Sequence, residues 1–216
     1  MPDSATQRAN MVASQILANG VTEDRILDAF RAIPRELFVP AAKRETAYAE
    51  TSLEVIPGRF LLSPRCFAKL LALAEIDPGD SVLDVGCATG YSIAVMARIA
   101  RRVIGLEEDA ALVRVASDLL HSQGITDAVV QGALAQGHPQ GAPYNVIVIE
   151  GGVEEIPGAL LAQLAEGGRL VAILQREAQG QAVVFLKEGA RTGHRFDFND
   201  STAVLPGFRK AAAFVF

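Results

Sequence analysis

The stretch Ser81-Val82-Leu83-Asp84-Val85-Gly86-Cys87-Ala88-Thr89-Gly90 constrains the fold more than any other part of the chain. A short apolar strand ends beside an acid, a loop with two glycines follows, and the apolar run Tyr91 to Ile99 then reads as helix. Strand, tight glycine turn and helix are the start of a βαβ unit, whose parallel strands require a crossover. The rhythm continues downstream. Val103 to Leu106 reads as strand, and Asp109 caps a helix running to Gln123 with Gly124 after it. Val129-Val130, Val146 to Ile149 and Leu170 to Leu174 supply further strands, with a helix over Ile156 to Leu164 between the last two. Such alternation implies right-handed crossovers and a mostly parallel sheet with helices on both faces. Beyond Gln175 only strands are expected, at Ala182 to Leu186 and Ala212 to Phe216, as an antiparallel edge.

The first third reads as helix and loop. Arg8 to Asn19 carries Met11, Val12, Ile16 and Leu17 at helical spacing before the stop at Gly20. Thr22 is placed to cap a second helix with Glu23 and Asp24 in its first turn, Ile26, Leu27, Phe30 and Ile33 as its apolar stripe, and Pro34 at its end. Ser63-Pro64 starts a third, with serine as N-cap and proline at the first helical position, and Asp77-Pro78-Gly79-Asp80 is the turn that closes it. The expected organisation is a single domain over 1–216: a helical, substrate-side segment 1–76, an α/β core 77–175 and C-terminal strands 176–216.

In open α/β sheets, ligands bind beyond the carboxyl ends of the strands. A dinucleotide site wants GxGxxG, but Ala88 holds the second glycine position and the third falls on Tyr91, too large for a pyrophosphate to approach closely. The loop is instead an acid, Asp84, followed by GxxxG. The second strand ends at Glu107, 23 residues after Asp84, where a carboxylate can accept both hydroxyls of a ribose. An acid, a bare backbone and a ribose acceptor without a phosphate site suit S-adenosylmethionine. Glu108 reads first as a helix-start carboxylate and second as a cofactor ligand. Cys87 reads as a small loop residue.

Bulk properties narrow the rest. A net charge of −5 over 216 residues offers no basic footprint for nucleic acid. No apolar stretch approaches the roughly 20 residues of a spanning helix, and MPDSATQRAN lacks the pattern of a signal peptide. Two cysteines, Cys66 and Cys87, make no disulfide framework, and His121, His138 and His194 stand apart from them, so no metal site is expected. The location expected is cytoplasmic; the oligomeric state is open.

Several segments together resemble protein-L-isoaspartate O-methyltransferases. Ile33-Pro34-Arg35-Glu36-Leu37-Phe38-Val39-Pro40 is similar to that family's VPRExFVP, and Ala47-Tyr48-Ala49-Glu50 to its AYxD. Val82 to Tyr91 is similar to VLEIGTGSGY, and Ala142-Pro143-Tyr144-Asn145, Ile156-Pro157, Leu160-Leu161, Gln163-Leu164 and Gly167 to Val171 continue in register. The resemblance covers about four-fifths of the chain and implies a Rossmann-like class I methyltransferase. It also implies S-adenosylmethionine as cofactor, S-adenosylhomocysteine as product and damaged proteins with isoaspartyl residues as substrate. The cofactor-side residues it implies are Asp84, Gly86, Cys87, Ala88, Gly90, Tyr91, Glu107, Glu108, Gly132, Ala133 and Leu134.

The chain departs from the family at the chemistry. The family's GQTISxP is here Gly58-Arg59-Phe60-Leu61-Leu62-Ser63-Pro64, so Phe60 replaces the threonine and Leu62 the serine held to position the substrate carboxylate. Ser63, one place late, is the candidate catalytic serine, although an N-cap role accounts for it. Arg59, Phe60 and Leu62 mark the substrate side. Arg59 is a candidate replacement cation, but a solvated arginine is the plainer expectation. The double change Phe60→Thr with Leu62→Ser is expected to restore the pattern at little cost in stability. Gly132-Ala133-Leu134 replaces a GDG whose aspartate meets the adenine amine, and Asn145 replaces an aspartate. Two classes of function remain open. One is an enzyme acting on isoaspartyl carboxylates, slowed, or on a more apolar acceptor. The other is a non-catalytic or regulatory S-adenosylmethionine-binding module. A dehydrogenase ranks last.

Overall fold

The computed structural model describes residues 3–126, 128–176 and 179–210. Its centre is a seven-stranded sheet of β3 (Ser81–Val85), β4 (Arg102–Glu107), β5 (Ala128–Gln131), β6 (Tyr144–Val153), β7 (Leu164–Arg176), β8 (Gln179–Glu188) and β9 (Arg191–Asn199). The order is β5-β4-β3-β6-β7-β8-β9, with β3 to β7 parallel and β8 and β9 antiparallel. Chain order reverses between β3 and β6. The crevice beyond their carboxyl ends is therefore the place where a ligand binds in such sheets.

Strand alternation builds two cores from one sheet. Val82, Val146 and Val148 face the helical N-terminal side, with Phe30, Phe67 and Tyr91. Leu83, Val85, Ile147 and Ile149 face the other side, with Leu160, Leu205 and Phe208. Successive residues of a buried strand point to opposite faces, so a run apolar at every position is what a doubly covered strand requires.

The helices are α1 (Ser4–Met11), α2 (Asp24–Ala32), α3 (Pro64–Ala74), α4 (Tyr91–Met96), α5 (Ala110–Ser122) and α6 (Gly158–Ala162). The expected helix over Arg8 to Asn19 begins earlier, at Ser4, and passes through a π turn at 12–16 and a 3₁₀ turn at 17–19 before Gly20. Thr22 does not cap α2. Glu23 holds the N-cap position without a side-chain cap bond, and its own carboxylate accepts the Thr22 N–H instead. The helix expected over Ile156 to Leu164 shrinks to α6, because Leu164 already pairs with Tyr144 as the start of β7.

The N-terminal third is not helix and loop alone. Leu53–Ile56 (β1) and Arg59–Leu61 (β2) form an antiparallel hairpin. Four- and three-residue strands carry too little alternation to stand out from loop, which is why pattern reading passes over them. It passes over β9 too: the residues of this strand are mostly exposed and polar, as suits an edge strand that must not pair with another sheet. The strand expected at Ala212 to Phe216 lies outside the described residues. Among the described residues, no helix is long and apolar enough to cross a membrane.

Ser63 caps α3, its Oγ accepting the Cys66 N–H at 3.2 Å, with Pro64 at the helix start. Ser63→Ala removes that acceptor and is expected to cost about 1 kcal/mol. In a chain of this size that lowers Tm by about 2–4 °C. An unchanged melting curve would show that another group satisfies this helix end.

Candidate active site at the carboxyl edge of the sheet

The glycine loop closes directly on the sheet. Gly86 N–H and Cys87 N–H donate to the Leu106 carbonyl, and Gly90 N–H to the Cys87 carbonyl. Gly86 and Gly90 hold φ of 84° and 89°, where an L side chain is strained. Ala88 also lies in the left-handed region, at 49°. It is held there by its N–H bond to Glu107 Oε2 at 3.0 Å. Thr89 ties the loop to the VPRExFVP-like segment through its Oγ1 bond to the Phe38 carbonyl at 2.6 Å.

Glu107 is fully buried and faces a cation from the hairpin. Arg59 Nη1 donates to Oε1 at 2.5 Å and Arg59 Nη2 to Oε2 at 2.6 Å, a bidentate pair. Arg59 Nη2 also reaches the Gly86 carbonyl at 3.2 Å. The N–H groups of Glu108 and Asp109 complete the carboxylate's set at 2.9 and 3.2 Å. The expectation of a solvated Arg59 is therefore overturned: it is 4% exposed, because a buried carboxylate 48 residues away draws it inward. Glu108 is exposed beside it.

Asp84, next to last in β3 before the loop, has no solvent exposure. Ser92 Oγ donates to its Oδ2 at 2.6 Å, while Oδ1 has no partner. Burial pushes the Asp84 carboxyl up to about 7; the Ser92 bond opposes this, Glu107 adds to it and Arg59 opposes it. Pattern reading misses a third acid. Glu150, one residue beyond the Val85–Ile149 pair, is buried with its Oε1 unpartnered. Burial holds its carboxyl well above the ordinary range, Asp84 adds to that and Arg35 opposes it. The strand-end logic that singles out Asp84 and Glu107 applies equally to Glu150.

Arg35 stands out in the string only as part of a motif, yet it is fully buried. It donates to the carbonyls of Ala47 at 2.9 Å and Leu62 at 2.8 Å, with its guanidinium 4.8 Å from the Tyr91 ring centroid. Arg35, Phe60, Leu62, Tyr91, Ser92 and Glu150 meet in a tight seam beside Gly86 and Cys87 that leaves no room for a water molecule. Ordinary small-molecule sites span roughly 300–1,000 Å³, so this seam is packed rather than open.

Leu62 is 2% exposed and belongs to the core. The expectation that Phe60→Thr with Leu62→Ser costs little stability is corrected: a serine at Leu62 buries a hydroxyl and leaves a cavity, a loss of about 2 kcal/mol or more. Ser63 Oγ is engaged as the α3 cap. Gly132 N–H donates to the Glu107 carbonyl, Ala133 is exposed, and buried Leu134 opens a 3₁₀ turn. Asn145 Oδ1 accepts the Ser81 N–H at 2.9 Å. Cys87 is free and buried, and desolvation holds its thiol well above the usual range. Among the described residues, no group of three or more His, Cys, Asp or Glu side chains is placed to hold a metal.

The Asp84 carboxyl supplies a pH test. With a folded value of about 7 against 3.8 for an unperturbed aspartate, the native state binds the extra proton between these values. Its contribution is then full below about 3.8 and lost as pH rises through 7. Asp84→Asn keeps an acceptor for Ser92 and removes the titration. Its stability relative to wild type is expected to rise by about 2 kcal/mol between pH 5.5 and 8, since each tenfold change in proton affinity is worth about 1.4 kcal/mol. A difference in urea-unfolding free energy that stays flat over that range would mean Asp84 ionises normally.

The arrangement has known relatives. The family model for Protein-L-isoaspartate(D-aspartate) O-methyltransferase (PCMT) matches residues 6–200. The chain is 38% identical over 183 residues to protein-L-isoaspartate O-methyltransferase 1 of Rhodopseudomonas palustris (strain HaA2), covering 84% of this chain and 75% of that one. It is 39% identical over 171 residues to protein-L-isoaspartate O-methyltransferase of Methylorubrum extorquens (strain PA1), covering 79% and 75%. A solved protein-L-isoaspartate O-methyltransferase superposes with a TM-score of 0.83 at 26% identity, over 93% of this chain and 66% of that one. The fold is shared too with a Plasmodium falciparum protein described as a putative member in complex with S-adenosyl-L-homocysteine, at a TM-score of 0.78, 18% identity and 95% and 99% coverage. The chain belongs to the protein-L-isoaspartate(D-aspartate) O-methyltransferase family.

Proposed function

We propose that this chain is an S-adenosylmethionine-dependent methyltransferase acting on isoaspartyl carboxylates of proteins or peptides. The observation that carries this reading is the family match over residues 6–200, which spans the glycine loop and its three buried acids. The acceptor set suits the cofactor. Asp84 Oδ1 and Glu150 Oε1 are buried acceptors without partners, suited to a cationic amino acid end. Glu107 is a paired acceptor at the end of the second parallel strand of the core, suited to ribose hydroxyls. When bound, S-adenosylmethionine would supply an electrophilic sulfonium methyl group for a carboxylate oxygen, leaving S-adenosylhomocysteine.

An isoaspartyl carboxylate is already ionised at neutral pH and needs no general base from the chain. What the residues provide is orientation and the exclusion of water. Phe60 and Leu62 make the approach apolar, and buried Arg35 is a cation that lines the same seam. Segment 1–76 supplies this acceptor side, and the whole chain acts as one domain in this reading. Two free, buried cysteines suit a reducing, cytoplasmic setting. The replacement of the family's serine by core residue Leu62 favours slow turnover, and in the limit a binding module without turnover.

The test is transfer of labelled methyl from S-adenosylmethionine to an isoaspartyl peptide, beside the same peptide with normal aspartate. A base-labile methyl ester on the isoaspartyl peptide alone is expected. Its rate should be about 10²-fold below that of family members that keep the serine, as for one lost orienting hydrogen bond in a dry site. Ser63→Ala should turn over like wild type at temperatures where both are folded. Equal labelling of both peptides would overturn the substrate assignment, and a collapse of turnover in folded Ser63→Ala would make Ser63 the catalytic serine.

A further inference from the structure

The pocket that suits the cofactor is filled by the chain itself. The Glu107 carboxylate offers about four lone-pair sites and accepts five hydrogen bonds, two from Arg59 and three from backbone N–H groups. No acceptor remains for a ribose. At the start of the loop, a Cβ placed on Gly86 would lie 2.9 Å from Leu205 Cδ1 and 3.4 Å from Arg59 Nη2. A Cβ on Gly151 would lie 2.5 Å from Leu205 Cγ, and one on Gly152 2.9 Å from the Thr202 carbonyl oxygen. The bare backbone that would let a ligand approach is thus used by residues 202–205.

That segment is fastened in place. Gly152 N–H donates to the Ala203 carbonyl at 2.8 Å, Leu205 N–H to the Gly152 carbonyl at 2.9 Å, and Glu154 N–H to the Phe208 carbonyl at 3.0 Å. Leu205 and Phe208 are 4% and 2% exposed. Arg59 Nε has no partner. A buried ion pair is weak evidence for stability in itself, because desolvation of both ions offsets most of the attraction. Its use as a registry or switch element is the better attested one.

We infer that Arg59 and Leu205 are an internal plug of the cofactor pocket, so that S-adenosylmethionine enters only when Arg59 leaves Glu107 and Leu205 leaves Gly86. This rests on the cofactor reading of the pocket. The plug makes the chain's resting state closed, and the apparent affinity is the intrinsic one reduced by the open fraction. Cofactor binding then exchanges an Arg–carboxylate pair for ribose–carboxylate bonds and frees the 202–208 segment.

The experiment is titration calorimetry of the full chain with S-adenosylhomocysteine, on wild type, Arg59→Gln and Leu205→Ala, each checked for folding by its unfolding curve. Arg59→Gln is expected to bind at least tenfold more tightly than wild type, and Leu205→Ala severalfold more tightly. Hydrogen exchange on wild type supplies a second measurement independent of any variant. Saturating S-adenosylhomocysteine should speed exchange of the Leu205 amide while slowing that of the Gly86–Gly90 loop. Equal, measurable affinities in all three proteins, or a Leu205 amide that the ligand protects, overturn the plug and leave the methyltransferase reading standing. No binding by any of the three folded proteins overturns both.

Discussion

A carboxylate taken out of water must find a cation or several N–H donors, or else keep its proton, and this chain buries three at one edge of one sheet. Each is compensated differently. Glu107 takes a bidentate arginine and three backbone donors. Asp84 has one serine hydroxyl, and its carboxyl is pushed up to about 7. Glu150 has Arg35 as its opposing charge and an oxygen without a partner. The surrounding elements follow from these needs. The β1–β2 hairpin carries Arg59 under the edge, the 35–38 turn carries Arg35, and Ser92 comes from the first turn of α4.

This arrangement joins the fold to the chemistry. Glycine loops free the backbone at the switch point so that something can lie against it. In this chain the occupant of that space is protein: Leu205 against Gly86 and Gly151, Arg59 against Glu107. Among Phe60, Leu62 and Tyr91 only a tight seam remains, without room for a water molecule. Family membership and a closed pocket are compatible when opening and loading are one event, with the ligand selecting a minor open state.

The segment 60–64 shows how a local motif and its packing can disagree. Read as a string, Leu62 is a serine lost and Ser63 a serine one place late. In three dimensions Leu62 is a core side chain whose carbonyl anchors Arg35, and Ser63 is a helix cap. Restoring the string at these positions disturbs the packing of α3.

Elements whose cause is local were legible in the chain. The glycine loop, the Ser63-Pro64 and Asp109 helix starts and the buried parallel strands depend on neighbours within a few residues, and the structure has them where the pattern put them. Glu107 was legible as a strand-end acid, since strand ends mark themselves by hydrophobic run and turn. Its partner was not. Arg59 stands 48 residues away on a three-residue strand, and only the fold brings a guanidinium that looks solvated in the string against a carboxylate that, among the described residues, pairs with no other cation. Leu205 is likewise an ordinary leucine until the chain's return past Gly152 lays it on Gly86. Local pattern alone places the parallel core of the sheet, the glycine loop and two of the three buried acids, Asp84 and Glu107. Tertiary structure decided what fills the space between them, because burial of charge and backbone is settled by neighbours distant in the chain.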